Sequence, residues 1–187
     1  MEVFPKSPSE MVGGLRYFGR MLDKIRLRAR GDLHSDYHAN LGHRKAADGA
    51  MCNFLRIDYE QLRQRVLEGG SDEEILEWCY QNGRRLNEGD LLVWNNFIAK
   101  FGWNDFATPT LERRKKELGI SDRADIQTMG DLFDYEEGRR KYQTFSASGA
   151  PSLEAWGIAP GLGTKSPKSA EGANQPDESR FQRWFFV

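Results

Sequence analysis

The chain has 187 residues, which suits one domain with an additional segment, and its 27 basic and 28 acidic side chains leave a net charge of −1. Because these charges balance, no overall basic field would attract nucleic acid, which is therefore not an expected partner. The mean hydropathy is −0.71, and the longest apolar runs, residues 91–94 and 184–187, are far shorter than the roughly 20 residues of a membrane-spanning helix.

The first part of the chain predicts helices separated by polar segments. Apolar side chains recur at helical spacing from about Ser9 to Arg30, so we expect the first helix there. The Gly13-Gly14 pair inside it suggests that another backbone approaches closely. A polar segment, residues 31–44, then leads to a short apolar stretch, residues 47–55.

Capping residues mark the helices that follow. Ser71 and Glu74 have the spacing of a capping box, so a helix is expected directly after Ser71. The other predicted helices begin after Asp58, after Asn87, at Pro109 and at Asp131, the last of them extending to Arg140. No run of alternating β-branched residues competes with these helices. Residues 1–144 are therefore predicted to be all-α, a compact irregular bundle of about six or seven helices with an extended C-terminal tail.

The composition changes in the C-terminal extension, residues 145–187. Of the 34 residues from Ser146 to Ser179, 21 are Ser, Ala, Gly or Pro, which predicts a segment that cannot bury enough apolar surface to fold alone. The chain nevertheless closes with an aromatic anchor, which we define as Phe181, Trp184, Phe185 and Phe186. Such an ending predicts docking, either on the domain itself or on another chain.

Two further features predict the cellular location and the state of the thiols. Residues 1–9 have no apolar signal core, so the cytoplasm is the expected location. Cys52 and Cys79 each lie in an apolar helical stretch and form no CxxC pair. We therefore expect two buried, reduced thiols rather than a disulfide framework or a zinc knuckle.

Short sequence motifs between Ser7 and about Arg140 occur in the same order as in one bacterial family. These motifs are Ser7-Pro8, Gly13-Gly14-Leu15, Arg20, Asp23-Lys24-Ile25-Arg26, Phe54-Leu55, Ile57-Asp58, Gly70–Leu76, Trp78, Trp94-Asn95, Phe97, Asp131-Leu132, Asp134 and Glu136–Arg139. Because of these shared motifs, the chain resembles the family named domain of unknown function 5069. The resemblance implies a compact helical domain, carries no activity, and does not extend beyond Tyr142.

All three histidines fall within ten residues, between the first two helices. His34, Asp36 and His38 could bind zinc or another divalent ion, since the two imidazoles would share a face if the segment were helical. The alternative is a polar loop whose histidines cap a helix or face solvent. A metal site usually takes a ligand from a second segment, and none is evident here, so we expect no bound metal.

The first helix is strongly basic and carries a candidate anion site. Arg16, Arg20 and Asp23 lie within about 60° of one another, nearly opposite the apolar stripe. Together with Arg139 they could line a cleft that binds phosphate or another anionic group. The alternative is a solvent-exposed face whose arginines pair with acidic neighbours such as residues 134–137.

Two functions from different classes are consistent with these features. The leading hypothesis is a non-catalytic protein-interaction or assembly subunit that binds a protein partner or a second copy through the aromatic anchor. The alternative is a small-molecule-binding domain or enzyme built around Arg20, Asp23 and Arg139. The sequence has no recognisable nucleophile elbow, zinc-protease motif or phosphate-binding loop. No cofactor is therefore expected, and no catalytic residue can be named.

Overall fold

A computed structural model describes residues 3–139, so the predicted C-terminal extension and its aromatic anchor lie outside the described residues. Within this range the chain forms a small antiparallel hairpin, seven α-helices and one 3₁₀ helix, Ser35–Asn40. The strands are β1 (Met11–Val12) and β2 (Leu15–Arg16), and the helices are α1 (Phe18–Arg30), α2 (Ala47–Leu55), α3 (Tyr59–Leu67), α4 (Asp72–Asn82), α5 (Glu88–Lys100), α6 (Thr108–Glu117) and α7 (Met129–Glu136). The all-α prediction is confirmed.

The hairpin corrects the predicted start of the first helix. Residues 9–16 were expected to be helical, but Met11 pairs with Arg16 and Val12 pairs with Leu15 across the turn at Gly13-Gly14. Both glycines have positive φ, 54° and 80°, as the central residues of a tight hairpin turn require. The turn also packs tightly, since a Cβ on Gly13 would lie 2.6 Å from a methyl carbon of Leu76. The chain becomes helical only at Phe18.

Helix α5 holds this hairpin in place. The indole Nε1 of Trp94 donates to the Arg16 carbonyl oxygen at 3.0 Å. The neighbouring Asn95 amide accepts from the Arg16 backbone N–H at 3.0 Å and donates to the Gly14 carbonyl at 2.8 Å. Three hydrogen bonds from two consecutive side chains therefore satisfy backbone groups that a two-residue strand leaves unpaired.

Local capping chemistry sets most helix ends where the sequence predicts them. Ser71 and Glu74 form the expected capping box at α4, and Asn87 and Asp90 form another at α5. The last helix differs, because Thr128 forms a capping box with Asp131 and so starts α7 at Met129. That helix ends at Glu136 rather than at the predicted Arg140.

Helix α1 lies at the centre of the main core. Its Phe18, Met21 and Leu22 are fully buried with apolar residues of α2 to α5. Leu22 and Leu76 are buried in this core, and Cys52 and Cys79 are buried free thiols, as the sequence predicts. A smaller cluster on α6, α7 and the segment between them adjoins this core through Phe101. No helix of the described residues is long and apolar enough to span a bilayer.

Candidate functional site

Two cations of α1 are buried one helical turn apart. Arg20 is 1% exposed and Lys24 is 4% exposed. Their i, i+4 spacing places both side chains on the same face of the helix. Because a charge without a partner is very costly in the interior, each cation must find an acidic partner elsewhere in the fold.

Arg20 finds its partner in Glu137, directly after α7. Its two terminal nitrogens donate to the two carboxylate oxygens of Glu137 at 2.5 and 3.0 Å, and Nη1 also donates to the Lys6 carbonyl at 2.8 Å. The Tyr37 hydroxyl donates to Glu137 at 2.5 Å, and Arg139 donates to Glu137 and to the Pro5 carbonyl. We call these four side chains, Arg20, Tyr37, Glu137 and Arg139, the Glu137 cluster.

Electrostatics within the Glu137 cluster favour the ionised carboxylate. Burial alone would raise the pKa of Glu137, but the hydrogen bonds and charge of Arg20, aided by Tyr37 and Arg139, outweigh burial and lower the pKa. Burial and the hydrogen bond to Glu137 together raise the pKa of the Tyr37 hydroxyl. The cluster therefore holds a carboxylate and a neutral phenol at physiological pH.

Lys24 belongs to a second buried group, with Asp48 of α2 and Tyr17. Its Nζ lies 2.5 Å from Asp48 Oδ1 and 3.0 Å from the Tyr17 hydroxyl, which itself donates to Asp48 at 3.0 Å. Burial lowers the pKa of Lys24 even though the Asp48 charge opposes this shift. A lowered pKa leaves a larger fraction of an amine in its neutral, nucleophilic form. Lys24 is nevertheless enclosed by the core, so no substrate reaches it in this conformation.

A third, more open cluster lies where α4 begins. Asp72 accepts from Lys6 at 2.7 Å and from Arg26 at 2.6 Å, and Asp23 accepts from the Lys6 backbone N–H at 3.1 Å. Burial opposes ionisation of Asp72, but the two cations outweigh it and lower its pKa. Lys6, Arg26 and Asp72 border an open groove of about 470 Å³. Both cations facing the groove are already neutralised by protein carboxylates.

The four residues of the predicted anion site are thus divided among different places. Arg20 and Arg139 meet at Glu137, whereas Asp23 accepts from the Lys6 backbone N–H and lies beside Arg26. Arg16 is on β2, where its backbone N–H bonds to the Asn95 side chain. The alternative interpretation is right that Arg20 and Arg139 pair with residues 134–137. Its solvent-exposed face is wrong for Arg20, which is buried where the chain after α7 covers α1.

The histidine segment contains the 3₁₀ helix. His34 Nδ1 accepts from the Asp36 backbone N–H at 3.3 Å, and Asp36 Oδ1 lies 3.5 Å from the same nitrogen. His38 Nε2 lies 3.0 Å from the Leu33 carbonyl oxygen and 3.3 Å from Arg28. Residues 3–139 contain no group of three or more His, Cys, Asp or Glu side chains arranged to hold a metal ion.

Several participants in the buried clusters were not predicted as site residues. Tyr17, Tyr37 and Asp48 gave no local signal, because each becomes important only through a partner on another element. Glu137 carried a weak signal as part of an acidic run after a helix. The predicted Phe181, Trp184, Phe185 and Phe186 lie outside the described residues.

Comparison with known proteins identifies one family. The family model described as domain of unknown function (DUF5069) matches residues 2–139, which includes all the described residues and the three clusters. No curated protein matches the chain.

Proposed function

We propose that the chain, which belongs to the DUF5069 family, is a non-catalytic interaction or assembly subunit that docks through Phe181, Trp184, Phe185 and Phe186. The observation that carries the proposal is the contrast along the C-terminal extension. A stretch in which 21 of 34 residues are Ser, Ala, Gly or Pro is followed by an end rich in large aromatic side chains. Aromatic anchors of this kind dominate the energetics of protein interfaces.

The buried clusters support this role over the small-molecule alternative. Arg20 directs its terminal nitrogens at Glu137 and the Lys6 carbonyl, while Arg139 is bound to Glu137 and the Pro5 carbonyl. An anionic ligand would have to displace Glu137 from a bidentate contact inside the core. Such a displacement leaves a buried carboxylate without its partner, which costs several kcal/mol.

The proposed anchor has the size expected for reversible docking. Burial of Trp184 and one phenylalanine would contribute about 3–6 kcal/mol before ordering costs. A tether raises the effective concentration of such an anchor once a first contact exists, and this gain is largest when the tether length matches the span between the two contacts. Arg180 and Arg183 flank the aromatic residues and, at the rim of an interface, would orient the partner more than strengthen binding.

The test compares the full chain with two variants. One lacks residues 180–187, and the other replaces Phe181, Trp184, Phe185 and Phe186 with serine, preserving length and charge. Trp156→Ser, a single aromatic change elsewhere in the extension, serves as the control. Sedimentation velocity measures self-association. Affinity capture isolates a partner protein, and titration of that purified protein measures its dissociation constant. Thermal unfolding measures the melting temperature of the domain.

The outcomes separate the modes of docking. Loss of association in both anchor variants with an unchanged melting temperature supports docking on another chain. A lower melting temperature of the monomer would instead indicate docking on the chain's own domain. Association and melting that are both unchanged would show that the proposal is wrong.

A further inference from the structure

The segment between α1 and α2 lies over one face of α1 without entering the core. It begins after the buried Leu33 and ends near the buried Ala47, and none of the residues 34–45 is buried. We call residues 34–45, which include the 3₁₀ helix, the strap. Its backbone hydrogen bonds join residues three positions apart, for example the Tyr37 N–H to the His34 carbonyl oxygen. Because these bonds are local, the strap can move without breaking them.

The strap runs along a row of three cations on α1. Arg20, Lys24 and Arg28 follow one another at four-residue spacing, so their side chains share one face of the helix. The Arg20 Cζ lies 5.7 Å from the centre of the Tyr37 ring, and His38 Nε2 lies 3.3 Å from Arg28 Nη1. The strap therefore contacts the neighbours of Lys24 on both sides along this face.

Asp48 lies between Lys24 and the strap. One of its carboxylate oxygens accepts from Lys24 at 2.5 Å, and the other accepts from the backbone N–H of Gly42, in the strap, at 3.4 Å. Gly42 also packs against α3, where a Cβ in its place would collide with the Tyr59 ring. A long hydrogen bond and a contact between a glycine and a ring thus help to hold the strap over Lys24.

The strongest attachment of the strap is at Tyr37. Its hydroxyl donates to the Glu137 carboxylate at 2.5 Å, and a hydrogen bond to a charged acceptor is stronger than one between neutral groups. Glu137 also accepts from Arg20 and Arg139, which are not part of the strap. Release of Tyr37 therefore leaves the carboxylate paired, and it costs much less than breaking a buried ion pair.

The polar group beneath the strap is formed by other elements. Lys24 is on α1, Asp48 is on α2 and Tyr17 directly precedes α1, and the three side chains bond to one another. Tyr17 has a φ of 73°, which is rare for a bulky residue and persists only where the surrounding structure imposes it. This group should therefore keep its geometry when the strap moves.

We infer that the strap is a gate, which lifts from α1 as one unit while the helices stay folded and thereby exposes Lys24 and Asp48 to solvent. The closed form hides an amine and a carboxylate, and the open form presents them together at the surface. The gate uses only residues of the helical domain and so goes beyond the proposed function. We expect the open form in about 0.1–10% of the molecules, as is usual for a minor conformation.

Chemical labelling of the full chain tests the gate. Brief pulses of an N-hydroxysuccinimide ester label the Lys24 amine, pulses of a maleimide label the Cys79 thiol, and mass spectrometry measures both rates. The rate in denaturant divided by the native rate gives the protection factor of each side chain. Cys79 is the internal reference, because it lies on α4 in the main core and reports opening of that core.

The gate predicts different behaviour at the two positions. The protection factor of Lys24 should be at least about tenfold lower than that of Cys79, because a local opening needs less free energy than unfolding of the core. Low concentrations of urea should change the protection of Lys24 only slightly, since lifting the strap exposes little surface. The protection of Cys79 should fall steeply with urea.

Tyr37→Phe tests the attachment to Glu137. Loss of the hydroxyl should lower the protection factor of Lys24, relative to that of Cys79, at least about fivefold. Tyr80→Phe is the matched control, because Tyr80 is a partly buried tyrosine on α4, outside the strap. It should leave the ratio of the two protection factors unchanged.

Gly42→Ala tests the second attachment independently. The new methyl group would meet the Tyr59 ring, and the residue has a φ of 62°, which disfavours any side chain. This variant should also lower the protection of Lys24 relative to Cys79. Dividing by the protection of Cys79 removes any effect of the substitution on the stability of the whole core.

Two results would overturn the inference. In the first, Lys24 is protected as strongly as Cys79 and with the same steep dependence on urea, which means that only global unfolding exposes it. In the second, the ratio of the protection factors is the same in the parent, in Tyr37→Phe and in Gly42→Ala.

Discussion

Removing the Glu137 carboxylate should destabilise the domain more than removing any surface carboxylate. In Glu137→Ala the Arg20 guanidinium keeps only the Lys6 carbonyl as an acceptor, and Tyr37 loses its acceptor as well. The side chains of Arg20 and Glu137 are 1% and 0% exposed, so water does not replace the lost partner. Breaking such a pair costs about 3–5 kcal/mol, or roughly 10–15 °C in melting temperature for a domain of this size.

Thermal and urea unfolding followed by circular dichroism measure this cost. Glu117→Ala is the control, because Glu117 forms an i, i+4 pair with Arg113 in which both side chains are more than half exposed. The control should shift the melting temperature by less than about 2 °C. Replacing both buried partners, Arg20→Met with Glu137→Leu, should recover part of the loss, because no fully buried charge is left unpaired, although the Tyr37 hydroxyl still lacks its acceptor. A Glu137→Ala protein that melts within about 2 °C of the parent would refute the reasoning.

The Arg20–Glu137 pair also predicts that the stability of the domain depends on pH. The pKa of Glu137 is lower in the folded chain than its usual value, so the unfolded chain binds a proton more readily. The stability from this group is therefore present at neutral pH and is lost as the pH falls through the carboxylate range, from about pH 5 downward. The difference in unfolding free energy between the parent and Glu137→Gln should narrow over that interval. A constant difference from pH 7 to about pH 4 would contradict the lowered pKa.

Two further experiments test the packing of the core. Burial raises the pKa of Cys52 and of Cys79 to about 12. A thiol reagent at neutral pH should therefore label neither cysteine in the native protein and both cysteines in denaturant. Rapid labelling of the native protein would contradict the burial of these thiols. Gly83→Ala should lower the free energy of unfolding by about 1–3 kcal/mol, because the new Cβ would collide with the Leu55 carbonyl oxygen. Gly130→Ala, whose Cβ makes only an ordinary contact, is the control and should be neutral or slightly stabilising in urea unfolding.

Elements defined by local chemistry could be predicted from the sequence. The capping boxes at Ser71 and Asn87 depend on residues three positions apart, so the sequence contains the whole interaction. The hairpin at Gly13-Gly14 could have been found from its paired glycines, which are typical of a two-residue turn. The helical interpretation prevailed because Met11, Leu15 and Phe18 happen to keep helical spacing across that turn.

The buried charges could not be predicted in the same way. A helical projection shows that Arg20 lies opposite the apolar stripe of α1, but it does not show whether another element covers that side. Glu137 is 117 positions away along the chain, and Asp48 approaches Lys24 from a different helix. Whether a polar face becomes a solvent-exposed surface or a buried ion pair is decided by the tertiary fold.

The Glu137 cluster also explains how the two ends of the described domain are held together. Arg20 and Arg139 donate to the carbonyl oxygens of Lys6 and Pro5, and both bind Glu137 at the end of α7. The Ser7 hydroxyl donates to Asp134 at 3.0 Å on the same helix. One carboxylate thus joins the N-terminal segment, α1 and α7. Loss of Glu137 should therefore release the N-terminal segment together with α7, so hydrogen exchange should rise in both while α3 keeps its protection.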